Sequence, residues 1–389
     1  MGAWFASGVS RASETPDPAA SAIDGRAGER PRSVLFYLVD TCRNDRMGFT
    51  GYGRETTPFL EWIAERAVTF DACYAQAPWT KPSMASILTS RYPSSTGVYK
   101  MTQRLPQKFE TLPEVLRENG LYTAGFSANI VMGNYMSDFA QGFDHFVESL
   151  DINFGDPIRF ASGSAKRINE KAFPWLDAND HWPMFLYLHS VDPHEEYEPE
   201  PEYLARFAKP ERHPRYREEW QKLLKSRPPI PGLYVTQDNF DRTGIDSSSW
   251  IEHGSDLYDA DIRANDDELR RLWDKLATDG WGEDFIFVFT SDHGEEFFDH
   301  GGTCHGYNLY EEMIRVPLMI WAPGLLPEGV RIDAPVRSLD IYPTVCDLLG
   351  IEPPDSIEGR SLLPVIEGSE VEERVAVTFE ISSLGNQDA

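Results

Sequence analysis

Cysteine is scarce in this sequence, and long apolar segments are missing from it. The 389 residues include 4 cysteines, at positions 42, 73, 304 and 346. They are too few and too scattered for a disulfide framework or a CxxC zinc site, so we expect buried or incidental thiols. No run of about 18 or more apolar residues occurs, which excludes a transmembrane helix within this sequence.

Basic residues are few relative to acidic ones. Lys and Arg total 36 against 63 Asp and Glu, which gives a formal net charge of −27. An acidic surface repels nucleic acid and anionic lipid, so neither is an expected partner. Hydrophobic residues make up 41% of the chain and aromatic residues 12%, which is enough material for a folded core and argues against general disorder.

Two segments differ in composition from the rest of the chain. Residues 1–31 are rich in Ala, Ser, Pro and Gly and predict a flexible leader before one domain at 32–389. The leader is compatible with a processed export segment, which slightly favours a periplasmic or extracellular location over a cytoplasmic one. Within the domain, the many charges and prolines of residues 198–250 predict a long irregular insertion.

Short, nearly continuous apolar runs alternate with segments of helical periodicity. Runs of this length are typical of strands buried on both faces, and alternation with helices predicts an α/β fold with a mixed, mainly parallel sheet sandwiched by helices. The predicted strands are Ser33–Asp40, Met184–His189, Asp284–Thr290 and Val316–Ala322. The predicted helices are Thr57–Val68, Ser83–Ser90, Thr111–Asn119, Ser255–Thr278 and Ile341–Leu349.

Polar residues that could bind a metal follow three of these strands. Asp40 closes the first strand, and Asp292 with His293 follows the third. Ligands in such sheets bind at the carboxyl ends of strands, and an adjacent Asp and His can both reach one Zn or Mn ion. The alternative is an ordinary polar exit from each strand.

Thr80 lies just before a predicted helix that has Pro82 in its first turn. One hypothesis is an N-cap threonine. The other is a nucleophile, because free N–H groups and the positive end of the helix dipole favour an alkoxide and a bound oxyanion. Lys81, the next residue, is a predicted contact for the same anion.

Histidines concentrate in two loops that follow strands. Of the 9 histidines in the chain, those at 189, 194, 293, 300 and 305 fall there. Any one of them could be a surface residue, but together they indicate metal or oxyanion chemistry. The neighbouring Glu195, Glu196 and Glu198 are predicted to be solvated and receive no role.

Several ordered segments together resemble the sulfatase family of the alkaline-phosphatase superfamily, from about Arg32 to about Pro364. They include LVDTCRNDRMG, APWTKPSMASILTSRYP, FLYLHSVDPH, FVFTSDHGEE and LDIYPTVCDLLG. The resemblance implies an alkaline-phosphatase-like fold with a small C-terminal subdomain. It also implies roles for the site residues. Asp40, Asp292 and His293 would bind the metal, and Thr80 would be the nucleophile, with its oxygen also touching the metal. His194 would contact the sulfuryl or phosphoryl group, and His305 would contact the substrate.

The sequence departs from the sulfatase pattern at the nucleophile. The family's C/S-x-P-S-R motif reads Thr80-Lys81-Pro82-Ser83-Met84, and threonine cannot mature to formylglycine. A segment containing Asn129, the predicted polar substrate contact, replaces the family's Lys-x-His. The C-terminal subdomain is predicted to be absent or reduced to one strand at 375–381.

These departures favour a metal-dependent hydrolase of phosphate or phosphonate esters in which Thr80 is the covalent nucleophile. The expected cofactor is one divalent ion, Zn or Mn rather than Ca, or two if Asp192, His194, His300 or His305 hold a second. The substrate would be a small-molecule, glycan or lipid-headgroup ester of phosphate or sulfate. The alternatives are a sulfatase without formylglycine, a phosphoryl transferase and a non-catalytic, metal-dependent anion-binding protein.

Overall fold

The computed structural model describes residues 32–152, 163–179, 183–226, 235–282 and 284–369. The predicted leader at 1–31 and the predicted strand at 375–381 lie outside these ranges. Among the helices of the described ranges, none combines the length and the apolar character needed to cross a membrane. All four cysteines are buried free thiols, as predicted.

Eleven strands and thirteen helices, numbered in chain order, occur in the described ranges. The strands β1 to β11 are Ser33–Val39, Val68–Tyr74, Tyr122–Ser127, His145–Val147, Met184–Ser190, Phe285–Thr290, Glu296–Phe297, Thr303–Cys304, Arg315–Trp321, Val330–Ile332 and Val336–Arg337. The helices α1 to α13 are Pro58–Ala64, Thr80–Thr89, Pro93–Thr96, Leu112–Glu118, Ser149–Ile152, Ser164–Ala178, Pro201–Phe207, His213–Ser226, Gln237–Thr243, Ser247–Thr278, Glu311–Ile314, Ile341–Leu349 and Leu363–Ile366.

Nine of the strands form one mixed sheet. Its order is β10-β2-β9-β6-β1-β5-β3-β4, with β11 also paired to β2. The central strands β6, β1, β5 and β3 are mutually parallel, whereas β9 is antiparallel to both of its neighbours. The predicted fold class is confirmed.

Alternate side chains of the central strand enter two different cores. Leu35, Tyr37 and Val39 of β1 pack on one face with residues of α6 and α10. Val34 and Phe36 pack on the other face with residues of α2, α4 and α12. Because both faces are covered by helices, β1 can be apolar at every position, which is the run recognised in the sequence.

The four predicted strands, β1, β5, β6 and β9, are confirmed to within a residue or two, but the other seven strands of the described ranges were not predicted. The prediction of an irregular insertion at 198–250 was wrong for its described part, which is mostly helical. Its prolines begin helices instead of breaking them: Pro201 is the first residue of α7, and Pro210 opens a 3-10 turn before α8. In α8, Tyr216, Trp220 and Leu223 recur at helical spacing and are buried.

Candidate active site

The carboxyl ends of three parallel strands meet at one edge of the sheet. Asp40 follows β1, Asp292 and His293 follow β6, and His189 lies near the end of β5. Strand β1 lies between β5 and β6, so the three strand ends are adjacent. This topology brings together side chains that are about 250 residues apart in the chain.

Asp40, Asp292 and His293 form a buried group that we call the Asp40 cluster. One ligand atom from each residue lies within 4.8 Å of the others. His293 Nε2 is 3.6 Å from Asp40 Oδ1 and 3.4 Å from Asp292 Oδ2. Ligands about 2.0–2.1 Å from a tetrahedral ion stand about 3.3 Å apart, so these separations are close to those around an ion.

The chemistry of the cluster also fits a cation. Asp40 Oδ1 and Asp292 Oδ2 are buried and accept no hydrogen bond from the described residues. His293 Nδ1 lies 2.9 Å from the Gly294 carbonyl, which can only accept, so Nδ1 carries the proton and Nε2 keeps its lone pair. Two unpaired carboxylate oxygens and an imidazole nitrogen that keeps its lone pair therefore face one point.

Neighbouring groups hold the two carboxylates in place. Asp292 Oδ1 accepts the backbone N–H groups of Thr41 and His293, at 3.3 and 3.0 Å. Asp40 Oδ2 accepts the side-chain amide of Asn129 and lies 3.6 Å from His189 Nε2. The side-chain oxygen of Asn129 accepts the backbone N–H of Val131. Because both ends of its amide are engaged, Asn129 orients Asp40, whereas the sequence predicted that Asn129 contacts the substrate.

Thr80 lies at the Asp40 cluster. Helix α2 begins at Thr80 with Trp79 as the N-cap residue, so the N-cap hypothesis for Thr80 was wrong. The Thr80 hydroxyl is 3.2 Å from His293 Nε2, and Thr80 is only 6% exposed. Ser83 of the same helix donates to the Asp292 carbonyl at 2.6 Å, which fixes the helix against the strand end.

Lys81 does not point toward the cluster. Its Nζ donates to the carbonyl oxygens of Met101 and Met136, at 2.5 and 2.8 Å. Consecutive side chains in a helix differ by about 100° in direction, so Thr80 and Lys81 face different surroundings. The prediction that Lys81 contacts the anion is therefore not supported, and its observed contacts tie two loops to the start of α2.

His194 and His305 adjoin the Asp40 cluster. The ring centroids of His293 and His305 are 4.5 Å apart, and those of His194 and His305 are 4.8 Å apart. Both predicted substrate contacts thus lie beside Thr80's histidine partner. Burial lowers the pKa of His194, but Glu195, Asp40 and Glu295 outweigh it and raise that pKa to about 9.

Two glutamates that the sequence reasoning set aside or overlooked complete this side of the site. Glu195 is 5% exposed and Glu295 fully buried, so the prediction of a solvated Glu195 was wrong. Burial raises the pKa of Glu195 to about 7 and that of Glu295 to about 8. Glu195 follows His194 and Glu295 lies two residues after His293, but the acidic local sequence gave no signal that either is buried.

Two of the four residues predicted for a second metal lie elsewhere. Asp192 Oδ2 accepts Ala165 N–H at 3.2 Å, and this carboxylate belongs to none of the metal-type groups of the described residues. His300 pairs with Glu312 at 2.6 Å in a group with Glu296, separate from the Asp40 cluster. Of the four candidates, only His194 and His305 share one metal-type group of the described residues.

The affinity of the Asp40 cluster for a divalent ion is expected to depend on pH. Burial, with Asp40 nearby, raises the pKa of Asp292 to about 7 in the metal-free chain. A bound ion must displace that proton, so Mn²⁺ affinity should rise about tenfold per pH unit up to about pH 7 and then level off. Equilibrium titration of metal-free protein with Mn²⁺ measures this affinity at each pH. Equal affinities at neutral pH and well below it would contradict the prediction.

The fold is alkaline-phosphatase-like, and the chain is a hydrolase that acts on ester bonds. It belongs to the sulfatase family, because the family model described as Sulfatase matches residues 32–351, most of the chain. Divalent metal use is general in this superfamily, and the Asp40 cluster offers suitable ligands.

Known relatives include enzymes for different esters. An ulvan-active sulfatase of Formosa agariphila is 25% identical over 372 residues, covering 90% of this chain and 68% of the relative. A solved structure in complex with its substrate D-glucosamine-2-N,6-O-disulfate is 24% identical, with a TM-score of 0.68 over 89% of this chain and 82% of that one. The phosphonate monoester hydrolase of Agrobacterium radiobacter is 22% identical, with a TM-score of 0.68 over 88% and 78%.

Proposed function

We propose that this protein is a metal-dependent hydrolase of phosphate or phosphonate esters and that Thr80 is its covalent nucleophile. The observation that carries the proposal is the position of the Thr80 hydroxyl, 3.2 Å from His293 Nε2 at the start of α2. Asp40, Thr80, Asp292 and His293 would hold the ion. A divalent ion at this position supplies Lewis-acid chemistry and lowers the pKa of an adjacent hydroxyl.

The protein's own groups divide the remaining work. Thr80 Oγ1 would attack phosphorus, forming a P–O bond to threonine as the bond to the leaving alcohol breaks. Helix α2 directs its free N–H groups at the developing charge. His305, whose ring adjoins His293, and His194, whose ring adjoins His305, would contact the phosphoryl oxygens. Water then cleaves the phosphothreonine, releasing phosphate or phosphonate and restoring the hydroxyl.

The identity of the proposed nucleophile favours phosphorus over sulfur. Position 80 carries a threonine, which lacks the route to formylglycine, and Met84 replaces the arginine of the sulfatase motif. An unmodified hydroxyl forms a stable ester that must be hydrolysed in a second step, and enzymes with a covalent phosphoryl intermediate work by such double displacements. The fold shared with phosphonate monoester hydrolases is consistent with this choice.

A sulfatase activity is the second candidate. It is favoured by the family model and by the ulvan-active relative, whose name states activity on a sulfated polymer. In this case Thr80 would attack sulfur directly, and the substrate would be a sulfated glycan or a small sulfate ester. The net charge of −27 argues against a long polyanion lying across the surface, so a short ester entering the site is preferred.

A panel of esters that share one chromogenic leaving group tests the proposal. Protein loaded with Mn²⁺ or Zn²⁺ is assayed with the 4-nitrophenyl phosphate, phenylphosphonate, phosphodiester and sulfate. We expect kcat/KM for at least one phosphorus ester to exceed that for the sulfate by about tenfold or more, equivalent to about 1.4 kcal/mol of transition-state stabilisation. A sulfate rate above every phosphorus ester would overturn the phosphoester proposal in favour of the sulfatase.

A further inference from the structure

Lys81 joins two loops beside the start of helix α2. Its Nζ donates to the carbonyl oxygens of Met101 and Met136, so both oxygens lie within 2.8 Å of one nitrogen. The backbone N–H of Leu105 also donates to the Ser137 carbonyl at 2.9 Å, which pairs the loops directly. We call the two loops, residues 99–105 and 133–138, the rim.

The rim adjoins the proposed active site. Lys81 directly follows Thr80 in helix α2, so the tie to both loops begins next to the proposed nucleophile. The second loop begins four residues after Asn129, whose side-chain amide donates to Asp40, and the 3-10 turn Ile130–Met132 lies between them. Because both connections start at the site, the rim borders the position at which an ester would meet Thr80.

Hydrogen bonds fix the backbone on both sides of Tyr135. Arg104 donates to the carbonyl of Asn134, which precedes Tyr135, and Lys81 donates to that of Met136, which follows it. Tyr135 is nevertheless 86% exposed, more than any other large hydrophobic side chain in the described ranges. An aromatic ring on a fixed backbone loses little conformational entropy when a ligand stacks on it, so Tyr135 is suited to be a binding platform.

Met101 extends the exposed apolar surface of the rim. Four large hydrophobic side chains of the described ranges are exposed, and two of them, Met101 and Tyr135, belong to the rim. Thioether and aromatic groups both make favourable contacts with a flat aromatic ring. Their grouping beside the proposed site therefore indicates an apolar ligand group.

The charge of the rim differs from that of the whole chain. Its first loop contains two basic residues, Lys100 and Arg104, and no acidic one. The single carboxylate of its second loop, Asp138, forms an ion pair with Arg104. In a chain with a net charge of −27, the rim is therefore a side from which an anionic ester can approach the site.

We propose that the rim is the subsite for the organic group of the ester and that it selects an aromatic ring. Tyr135 stacks on this ring, Met101 contacts it, and Lys81 holds the two loops together. The one carboxylate of the rim already pairs with Arg104, which favours a flat apolar ring over the hydroxyl groups of a sugar. The inference rests on the proposed function, because it names the organic side of that ester.

Paired esters test the selectivity of the rim. The metal-loaded, full-length protein is assayed with an aryl and a fluoroalkyl ester, as phosphates and as sulfates, whose alcohols have similar acidity so that bond cleavage is equally demanding. In Tyr135→Ala we expect kcat/KM to fall about 3- to 10-fold for the aryl ester and to stay within about twofold for the fluoroalkyl ester. Tyr135→Phe keeps the ring and should keep the native selectivity. An unchanged selectivity in Tyr135→Ala, or an equal loss on both esters, would overturn the proposal.

Binding of anions that cannot be hydrolysed tests the rim without turnover. Phenylphosphonate and methylphosphonate share one anionic group and contain no ester bond. Calorimetry should find phenylphosphonate bound about 3- to 10-fold more tightly by the metal-loaded protein, and Tyr135→Ala should abolish the difference. Equal affinities in the native protein would overturn the subsite. A preference that depends on Tyr135, without turnover of any ester, would refute the proposed function and retain the subsite.

Trp62→Ala is the matched control for the loss of an exposed aromatic ring. Trp62 is 41% exposed, and its ring packs on Trp273, which in turn contacts Phe285 at the start of β6. The proposed active site follows the other end of β6, so Trp62→Ala should leave the ester selectivity and both phosphonate affinities unchanged. Circular dichroism and thermal unfolding confirm that each variant is folded. A loss of aryl selectivity in Trp62→Ala equal to that in Tyr135→Ala would also overturn the subsite.

Discussion

Replacing Thr80 by alanine is expected to reduce kcat by roughly 10⁴- to 10⁶-fold on every ester that the native protein turns over. The substitution removes the one hydroxyl that lies 3.2 Å from His293 Nε2, and with it the covalent step. The fold should survive because the bond from Ser83 to the Asp292 carbonyl still anchors α2. Turnover and thermal unfolding of the metal-loaded protein are measured together.

The serine variant is the matched control for that experiment. Thr80→Ser keeps a hydroxyl at the start of α2 and should retain measurable turnover with the same ion content. Mass spectrometry of the peptide containing residue 80 should find unmodified threonine at rest and a phosphorylated threonine after rapid acid quench of a slow substrate. Full activity in Thr80→Ala would refute the nucleophile, and an aldehyde at residue 80 would refute the absence of formylglycine.

Replacing Asp292 by asparagine is expected to weaken ion binding at the Asp40 cluster at least about 100-fold and to abolish turnover at ordinary ion concentrations. Asparagine can still accept the N–H groups of Thr41 and His293 through its oxygen, so the local backbone should be preserved. It removes the negative charge and the unpaired Oδ2 that faces the cluster. Calorimetric titration measures the lost affinity.

The same variant should have the opposite effect on the metal-free protein. Burial raises the pKa of Asp292 to about 7 in the folded chain, above its ordinary value of 3.8. A group with a raised folded pKa stabilises at low pH and loses that contribution as pH rises through the folded pKa. Metal-free Asp292→Asn should therefore unfold at a higher temperature than native protein above about pH 7.

The control for the affinity measurement is Asp45→Asn, which alters an exposed partner of Arg43. This variant should retain the native ion affinity. If it loses as much ion affinity as Asp292→Asn, the loss comes from long-range charge effects instead of ligation.

An acidic protein can still bind an anionic substrate, because the local charge at the site differs from the net charge of the chain. Asp40 and Asp292 face an ion position at the strand ends, and α2 directs its N-terminus to the same place. Many of the other charged side chains of the described residues are exposed. The net charge therefore affects which large partners approach the surface, whereas the local charge of the Asp40 cluster determines whether an anionic ester can bind.

Four strands of the sheet and the residues of the Asp40 cluster could be predicted from the sequence. Strands β1, β5 and β6 are apolar at nearly every position because both faces of the sheet are covered by helices. The first polar residue after such an apolar run therefore marks the end of the strand. Parallel strands bring those ends to one edge, so Asp40, Asp292 and His293 were predictable from local pattern plus topology. Thr80 followed from its motif.

The burial of Glu195 and the direction of the Lys81 side chain could not be predicted from the sequence, because both depend on how distant segments pack. Glu195 borders a small apolar space lined by Tyr216, Trp220 and Trp250, which belong to the helices that the sequence predicted to be irregular. Local sequence around Glu195 is acidic and predicts a solvated surface. Whether a charged side chain is buried depends on which distant segments pack over it, and that information is absent from the residue's own neighbourhood in the chain.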